Sequence, residues 1–270
     1  MNQQTKINSN TAILMYHEIT DNPEREKKIR RIDPSYSLLT SQFEEQMSFL
    51  FQNDEIEVVS IDELWKNHEN SYRKVAITFD DGLVGNYHHA FPILKKLGFP
   101  ATFFVSVNDI TMTGYMDWNQ LLDLHRHGYS IQSHTLTHPM LGECTDDQIF
   151  YELNESKETI ERKIGNKVNY LSLPFGSYNE NVIKYAKKIG YLGIFTSSLK
   201  KNYITNQFYQ CGRIPIKDSH QIHIFIKLIN NKSMLYRKTK FVNSIKSYIK
   251  NVIGLNNYRK IYRLVNRIKL

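Results

Sequence analysis

Between Ala12 and Ile216, short apolar runs of a strand's length alternate with longer stretches of helical period. The strand-like runs are Ala12–His17, Val75–Asp80, Ala101–Val105, Tyr129–Ser133, Tyr170–Leu173, Leu192–Thr196 and Arg213–Ile216. Between them, Phe43, Met47 and Leu50 share one helical face, as do Leu94 and Leu97, then Leu121, Leu122 and Leu124. Ile149, Leu153, Ile160 and Ile164 mark a longer helix, and Val182, Ile183 and Ala186 another. Gly98, Gly128 and Gly190 each close a helical run just before a strand, which predicts left-handed caps there. Such alternation builds a parallel sheet with helices outside it, either open or closed into a barrel. About seven strands suit an α/β barrel slightly smaller than the eight-stranded form.

Polar residues gather at the C-terminal ends of these strands, where open α/β sheets and barrels place their chemistry. The first strand ends in Tyr16-His17-Glu18, the second in Asp80-Asp81-Gly82 and the fourth in Ser133-His134. His134 and His138 stand four residues apart in Ser133-His134-Thr135-Leu136-Thr137-His138-Pro139. One helical turn at that point would aim both imidazoles at a single ion. Asp80 and Asp81 can complete such a site. Adjacent carboxylates at a strand end point in different directions, so one can bind metal while the other faces a water. Gly82 permits the sharp turn beyond them. In Leu173-Pro174-Phe175-Gly176, Pro174 fixes the backbone and Gly176 allows an unusual dihedral, an arrangement able to expose the Phe175 amide as an oxyanion donor. Two imidazoles and a carboxylate suit a divalent metal: zinc first, with cobalt, nickel or iron also compatible.

On these motifs the chain resembles the polysaccharide deacetylases of carbohydrate esterase family four. Thr78-Phe79-Asp80-Asp81-Gly82 matches that family's first motif and Ser133-His134 through His138 the second, over a resemblance running from about Thr11 to Ile216. The resemblance implies a distorted (β/α) barrel, metal ligation by Asp81, His134 and His138, and Asp80 as catalytic base. It also exposes two departures. The third motif often begins with an arginine that orients the base, and Ser172 stands there. No Leu-x-His, the usual source of the general acid, occurs near the end of the barrel. Met15-Tyr16-His17 instead resembles the permuted branch of the family, which acts on poly-N-acetylglucosamine-like glycans and takes its acid histidine, here His17, from the first strand. Trp118, Pro174 and Tyr16 are the expected substrate contacts. The activity so implied is removal of N-acetyl groups from the amino sugars of a polysaccharide or lipid-linked glycan in surface polysaccharide synthesis. A deformylase or small-molecule amidase on the same scaffold, and a non-catalytic glycan-binding relative, are the alternatives.

Charge divides the chain. From Ser219 to Leu270 there are 12 Lys/Arg and no acidic residue, which leaves 23 of the 35 basic residues against all 27 acidic ones in the remainder. The expected organisation is therefore a catalytic barrel over residues 1–218 and a basic helical extension over 219–270. Phe241, Ile245, Tyr248, Ile249 and Val252, then Tyr258, Ile261, Tyr262, Val265 and Ile268, recur at helical spacing among lysines and arginines. Basic amphipathic helices suit an anionic membrane surface. No nucleic-acid motif accompanies them, so no nucleic-acid partner is expected. The polar first ten residues and the absence of a long apolar run predict a cytoplasmic protein, peripheral at the inner membrane face. Cys144 and Cys211 are expected to be reduced thiols.

Overall fold

A computed structural model describes residues 5–6, 11–22, 33–65, 72–198, 203–205 and 208–230. Met1–Phe225 form one compact unit and Ile226–Leu270 a second, and the amphipathic stripes expected between 241 and 268 lie outside the described residues. Eight strands of the first unit run parallel to their neighbours. They are β1 (Thr11–Tyr16), β2 (Arg73–Phe79), β3 (Ala101–Val105), β4 (Ser130–Ser133), β5 (Tyr170–Ser172), β6 (Gly193–Thr196), β7 (Phe208–Gly212) and β8 (Ile214–Pro215). Their order in the sheet is β7-β6-β5-β4-β3-β2-β1-β8. Since β7 and β8 are consecutive in the chain, one segment lines both ends of this parallel run: Gly212 pairs with Thr196 on β6, and Ile214 pairs with Leu14 on β1, while the outer side of β7 pairs with the antiparallel strand Tyr203–Thr205. The sheet thereby nearly closes into a distorted (β/α) barrel. The sequence pattern implied about seven strands; the one it missed is β7, Phe-Tyr-Gln-Cys-Gly, where Gln210 and Gly212 interrupt the apolar run.

Helices α1 (Thr40–Phe51), α2 (Phe91–Leu97), α3 (Trp118–Arg126), α4 (Asp146–Ile164) and α5 (Glu180–Ile189) connect the strands, and α6 (Ile222–Ile229) follows them. Each expected helical face is the buried one: Phe43, Met47 and Leu50 on α1, and Ile149, Leu153, Ile160 and Ile164 on α4. Side-chain caps begin three of them, Asp117 accepting from the Gln120 amide, Thr145 from Gln148 and Asn179 from Val182. Gly98, Gly128 and Gly190 all have positive φ, as predicted. Among the described residues, no helix is long and apolar enough to cross a membrane. Cys144 and Cys211 are both free thiols.

Strand alternation carries the fold to the site. Ile13, Ala76, Phe104, Tyr170, Phe195 and Cys211 pack together as the core between the strands, with Val59, Ile61 and Leu64 against them. Residues two or four further along share the same face of each strand. His17 therefore follows Ile13 and Met15, Asp80 follows Ala76 and Thr78, Ser172 follows Tyr170, and Arg213 follows Cys211. All four reach the C-terminal end of the sheet on the core-facing side.

Candidate active site

Asp80 and Asp81 leave β2 in different directions. The Asp80 amide still donates to the Tyr16 carbonyl at 3.0 Å, continuing the strand pairing. Asp81 then takes φ 73° and Gly82 φ 80°, two successive left-handed residues that reverse the chain. A side chain at Gly82 would stand 3.1 Å from the Val105 side chain, so both backbone and space call for glycine.

Asp80 is 3% exposed and meets a buried arginine. Arg213 Nη1 donates to Oδ1 at 2.7 Å and Nη2 to Oδ2 at 2.6 Å, a bidentate pair. The remaining donors of the guanidinium reach Thr78 Oγ1 (3.1 Å), Ser172 Oγ (2.7 Å) and the Thr196 carbonyl (3.3 Å), so all five N–H groups are used. Ser172 Oγ donates in turn to Asp80 Oδ2 at 3.2 Å. Burial alone would raise the Asp80 carboxyl. The Arg213 charge, then His134 and the hydrogen bonds from Arg213, outweigh it and hold the group below the ordinary carboxylate range. The arginine absent at position 172 is thus supplied from the strand closing the barrel, with Ser172 bridging the pair. Arg213 was visible in the sequence as a charged residue heading an apolar strand; its partner, 133 positions away, was not.

Asp81 faces the histidines. Its Oδ1 lies 3.3 Å from His134 Nε2 and 3.2 Å from His138 Nε2, and the ligand atoms of the three residues lie within 4.8 Å of one another. The expected helical turn is absent: Thr135 (φ 71°) and His138 (φ 60°) are left-handed residues of a loop, and these reversals bring the imidazoles together. His134 Nδ1 lies 2.9 Å from the Ser172 carbonyl. A carbonyl only accepts, so Nδ1 carries the hydrogen and the neutral ring turns the Nε2 lone pair towards Asp81. A neutral ring so placed offers that lone pair, together with the Asp81 oxygen, to one cation, whereas a protonated ring would donate to Asp81 directly. The local field favours positive charge. Burial would lower the His134 pKa, yet Asp80 and Asp81 raise it; burial would raise the Asp81 carboxyl, yet the two imidazoles bring it well below its usual value. The set of one carboxylate and two imidazoles fits a divalent ion of the zinc type.

His17 follows β1 and senses the same charges. Burial lowers its pKa, Asp81 and Asp80 raise it, and Arg213 and His134 lower it again. Its ring lies 4.6 Å from that of Tyr36, and its Nδ1 has no hydrogen-bond partner among the described residues. Phe175 adopts φ 59° and ψ 8° in a tight turn begun by the buried Pro174, and its 40%-exposed ring stands edge-on to His138 at 4.9 Å. Bulky residues rarely take this conformation, and the turn imposes it beside the imidazole.

Two of the expected substrate contacts, Tyr16 and Trp118, have partners within the protein. Tyr16 is 1% exposed, its ring between Phe43 and Phe79 and its hydroxyl donating to Gln46 Oε1 at 2.8 Å. It lies on the opposite strand face from His17 and belongs to the packing of α1. Trp118 opens α3 with the Lys163 ammonium 5.8 Å from its ring centroid. His220, in the basic segment, is a turn residue whose Nδ1 accepts the Lys217 amide at 3.2 Å.

Comparison with known proteins agrees with this geometry. Residues 67–194 match the family described as polysaccharide deacetylase. YxkH of Bacillus subtilis, named for the polysaccharide deacetylases, is 32% identical over 197 residues, covering 72% of this chain and 67% of that protein. The chain belongs to the polysaccharide deacetylase family. Within that family, the poly-β-1,6-N-acetyl-D-glucosamine N-deacetylase of Staphylococcus epidermidis is 27% identical over 240 residues, 80% of this chain and 83% of its own. The Streptococcus pyogenes deacetylase PplD, solved with acetate, shares the fold at a TM-score of 0.69 and 23% identity, covering 84% of this chain and 99% of that one. The barrel is accordingly that of a hydrolase, a carbohydrate esterase that removes acyl groups.

Proposed function

We propose that this polysaccharide deacetylase is metal-dependent and removes N-acetyl groups from the amino sugars of a polysaccharide or lipid-linked glycan. The observation carrying this reading is the convergence of Asp81 Oδ1, His134 Nε2 and His138 Nε2 beside a carboxylate that Arg213 keeps ionised. A divalent ion held by those three atoms would polarise the acetamide carbonyl and ease deprotonation of water. Asp80 accepts the proton of the attacking water. Of the roughly four lone-pair directions of a carboxylate, Arg213 and Ser172 take three and leave one for that proton. The Phe175 amide, in its left-handed turn, donates to the developing oxyanion. His17 donates a proton to the departing amine, leaving acetate and a free amino sugar. The Staphylococcus epidermidis relative's named substrate supports a β-linked N-acetylglucosamine polymer as the glycan.

Ser172 in place of the motif's arginine would by itself favour a non-catalytic relative, but Arg213 supplies a guanidinium to Asp80 instead. The test is acetate release from N-acetylglucosamine oligomers by the purified chain, measured with its metal content. Release should vanish on chelation and return with zinc. Asp80→Asn should retain zinc and lose turnover by about 10²–10⁴-fold, the usual weight of a general base, whereas His134→Ala should lose both. Normal turnover in Asp80→Asn would end the base assignment, and turnover in zinc-stripped protein would end the metal assignment.

A further inference from the structure

The buried stripe of α4 contains one acid. Ile149, Leu153, Ser156, Ile160 and Ile164 repeat at helical spacing on the inner face, and Glu152 lies among them at 7% exposure. A carboxylate is taken into such a face only where hydrogen bonds replace its water. Three do so here, all from the segment joining His134 to His138. Glu152 Oε2 accepts the amides of Leu136 (3.0 Å) and Thr137 (2.9 Å), and Oε1 accepts the Thr137 hydroxyl.

That segment has no regular structure of its own and contains two left-handed residues, Thr135 and His138. Each such residue is strained by about 1–3 kcal/mol and persists only where its surroundings over-determine it. The surroundings can be named. The Asn108 amide donates to the Leu136 carbonyl at 2.9 Å and the Val107 amide to the Thr135 carbonyl at 3.2 Å. Thr135 Oγ1 accepts the His138 amide at 3.0 Å, and Ser133 Oγ, which donates to Ser156 Oγ on α4, accepts the Thr135 amide at 3.2 Å. These contacts hold the carbonyls and the ends of the segment. Glu152 holds the two central amides, and it is the charged member of these partners.

We propose that Glu152 is a positioning residue for the metal centre: by binding the Leu136 and Thr137 amides and the Thr137 hydroxyl, it fixes the reversed loop that sets His138 against Asp81 and His134. The inference rests on the reading of those three residues as metal ligands. The hydrogen bonds of Glu152 run to Leu136 and Thr137, and through them it acts on the loop. Groups that orient metal ligands from behind are typically worth about 10–100-fold in metal affinity.

The experiment measures zinc affinity of the full chain by competition with a chromophoric chelator, the visible spectrum of the cobalt-loaded protein, and the unfolding midpoint of the metal-free protein. Glu152→Met fills the space without an acceptor and should bind zinc about 10–100-fold more weakly, with an altered cobalt spectrum. Glu152→Gln keeps one oxygen for both amides and can donate to Thr137 Oγ1, so its affinity should stay within about threefold of wild type, since neutral hydrogen bonds replace charged ones of modest net worth. Should Glu152→Met fail to fold, Thr137→Val removes one hydrogen bond at an exposed position and should weaken zinc about fivefold. Wild-type affinity and spectrum in a folded Glu152→Met, whatever its midpoint, would overturn the proposal and leave the metal site standing. Wild-type affinity in Thr137→Val, where that variant must serve, would overturn it likewise, as would a Glu152→Gln as weak as Glu152→Met. If the wild-type chain bound no more zinc than His134→Ala, the metal reading and this inference would fall together.

Discussion

Replacing Arg213 with methionine should unfold much of the logic of the site and can be reckoned from its contacts. The guanidinium is 1% exposed and all five of its donors are engaged, two on Asp80 at 2.6 and 2.7 Å. Methionine fills the space but leaves a carboxylate buried without its counter-charge, which typically destabilises by about 3–5 kcal/mol. For a domain of this size, that corresponds to a urea midpoint lower by roughly 1–2 M. The pH dependence gives the more specific signature. In the wild type the Asp80 carboxyl is held below its ordinary value, so its contribution to stability is present above the unfolded carboxylate range near 3.9 and is lost as pH falls through the folded value. In Arg213→Met, burial is left opposed by the His134 and His17 charges without the guanidinium, and should lift the carboxyl above that range. The sign reverses: the variant is penalised progressively as pH rises past about 4.

The wild-type-to-variant gap should therefore be wider at pH 7.5 than at pH 5, in urea melts of chelator-treated protein. The acid limb of turnover should move up by about two units if about 3 kcal/mol of the loss is specific to the charged form. A double-mutant cycle with Asp80→Asn isolates the pair, and its coupling should be about 2–3 kcal/mol, within the range for residues in one buried network. Additivity within about 0.5 kcal/mol, the behaviour of independent sites, together with an unmoved acid limb, would refute the claim that Arg213 keeps the base ionised.

Three further outcomes are expected. His17→Ala should keep its zinc while turnover falls by about 10²–10⁴-fold; unchanged acetate release would remove His17 from the reaction. Burial, then the Lys217 charge, bring the pKa of His220 down to about 4, so its neutral form stabilises the fold above the unfolded value near 6.5 and that stability is lost as pH falls towards 4. At pH 5 this amounts to about 2 kcal/mol, and His220→Gln should show a correspondingly smaller drop in unfolding free energy between pH 7 and pH 5. Deleting residues 231–270 removes 11 of the 12 basic residues beyond Ser219 and should abolish flotation of the protein with anionic liposomes; equal flotation of both forms would end the membrane-surface proposal.

What the sequence revealed of this site follows from how local each signal is. Asp80, Asp81, His134 and His138 sit in two short segments at strand ends, and the spacing within each segment is itself evidence of convergence. The alternation of strands and helices likewise needs no partner to be read, and α1 to α5 emerged where their apolar stripes lie. Tyr16 and His17 show where such reading stops. Every residue of β1 from Ala12 to Tyr16 is buried, as in parallel strands covered on both faces, so burial alone does not say which neighbour faces the core between the strands and which faces a helix. Only the contact of Ile13 with the core places His17 on the inner side and Tyr16 against α1.

Glu152 and Arg213 are a second kind of residue, legible as anomalies but not as functions. Each is a charge set into an apolar pattern, Glu152 in the stripe of α4 and Arg213 at the head of Ile214-Pro215-Ile216, and burial obliges each to have a partner somewhere. For Arg213 that partner depends on closure of the barrel. Gly212 is the last residue paired to β6 and Ile214 the first paired to β1, so Arg213 occupies the break between the two edges. From there it reaches Thr196 on β6, Ser172 on β5, and Thr78 and Asp80 on or beside β2, joining strands from both sides of the seam. A chain that failed to close would leave Asp80 without the Arg213 counter-charge. Ionisation of Asp80 and completion of the barrel are therefore linked through Arg213, which is why no local stretch of sequence could assign it.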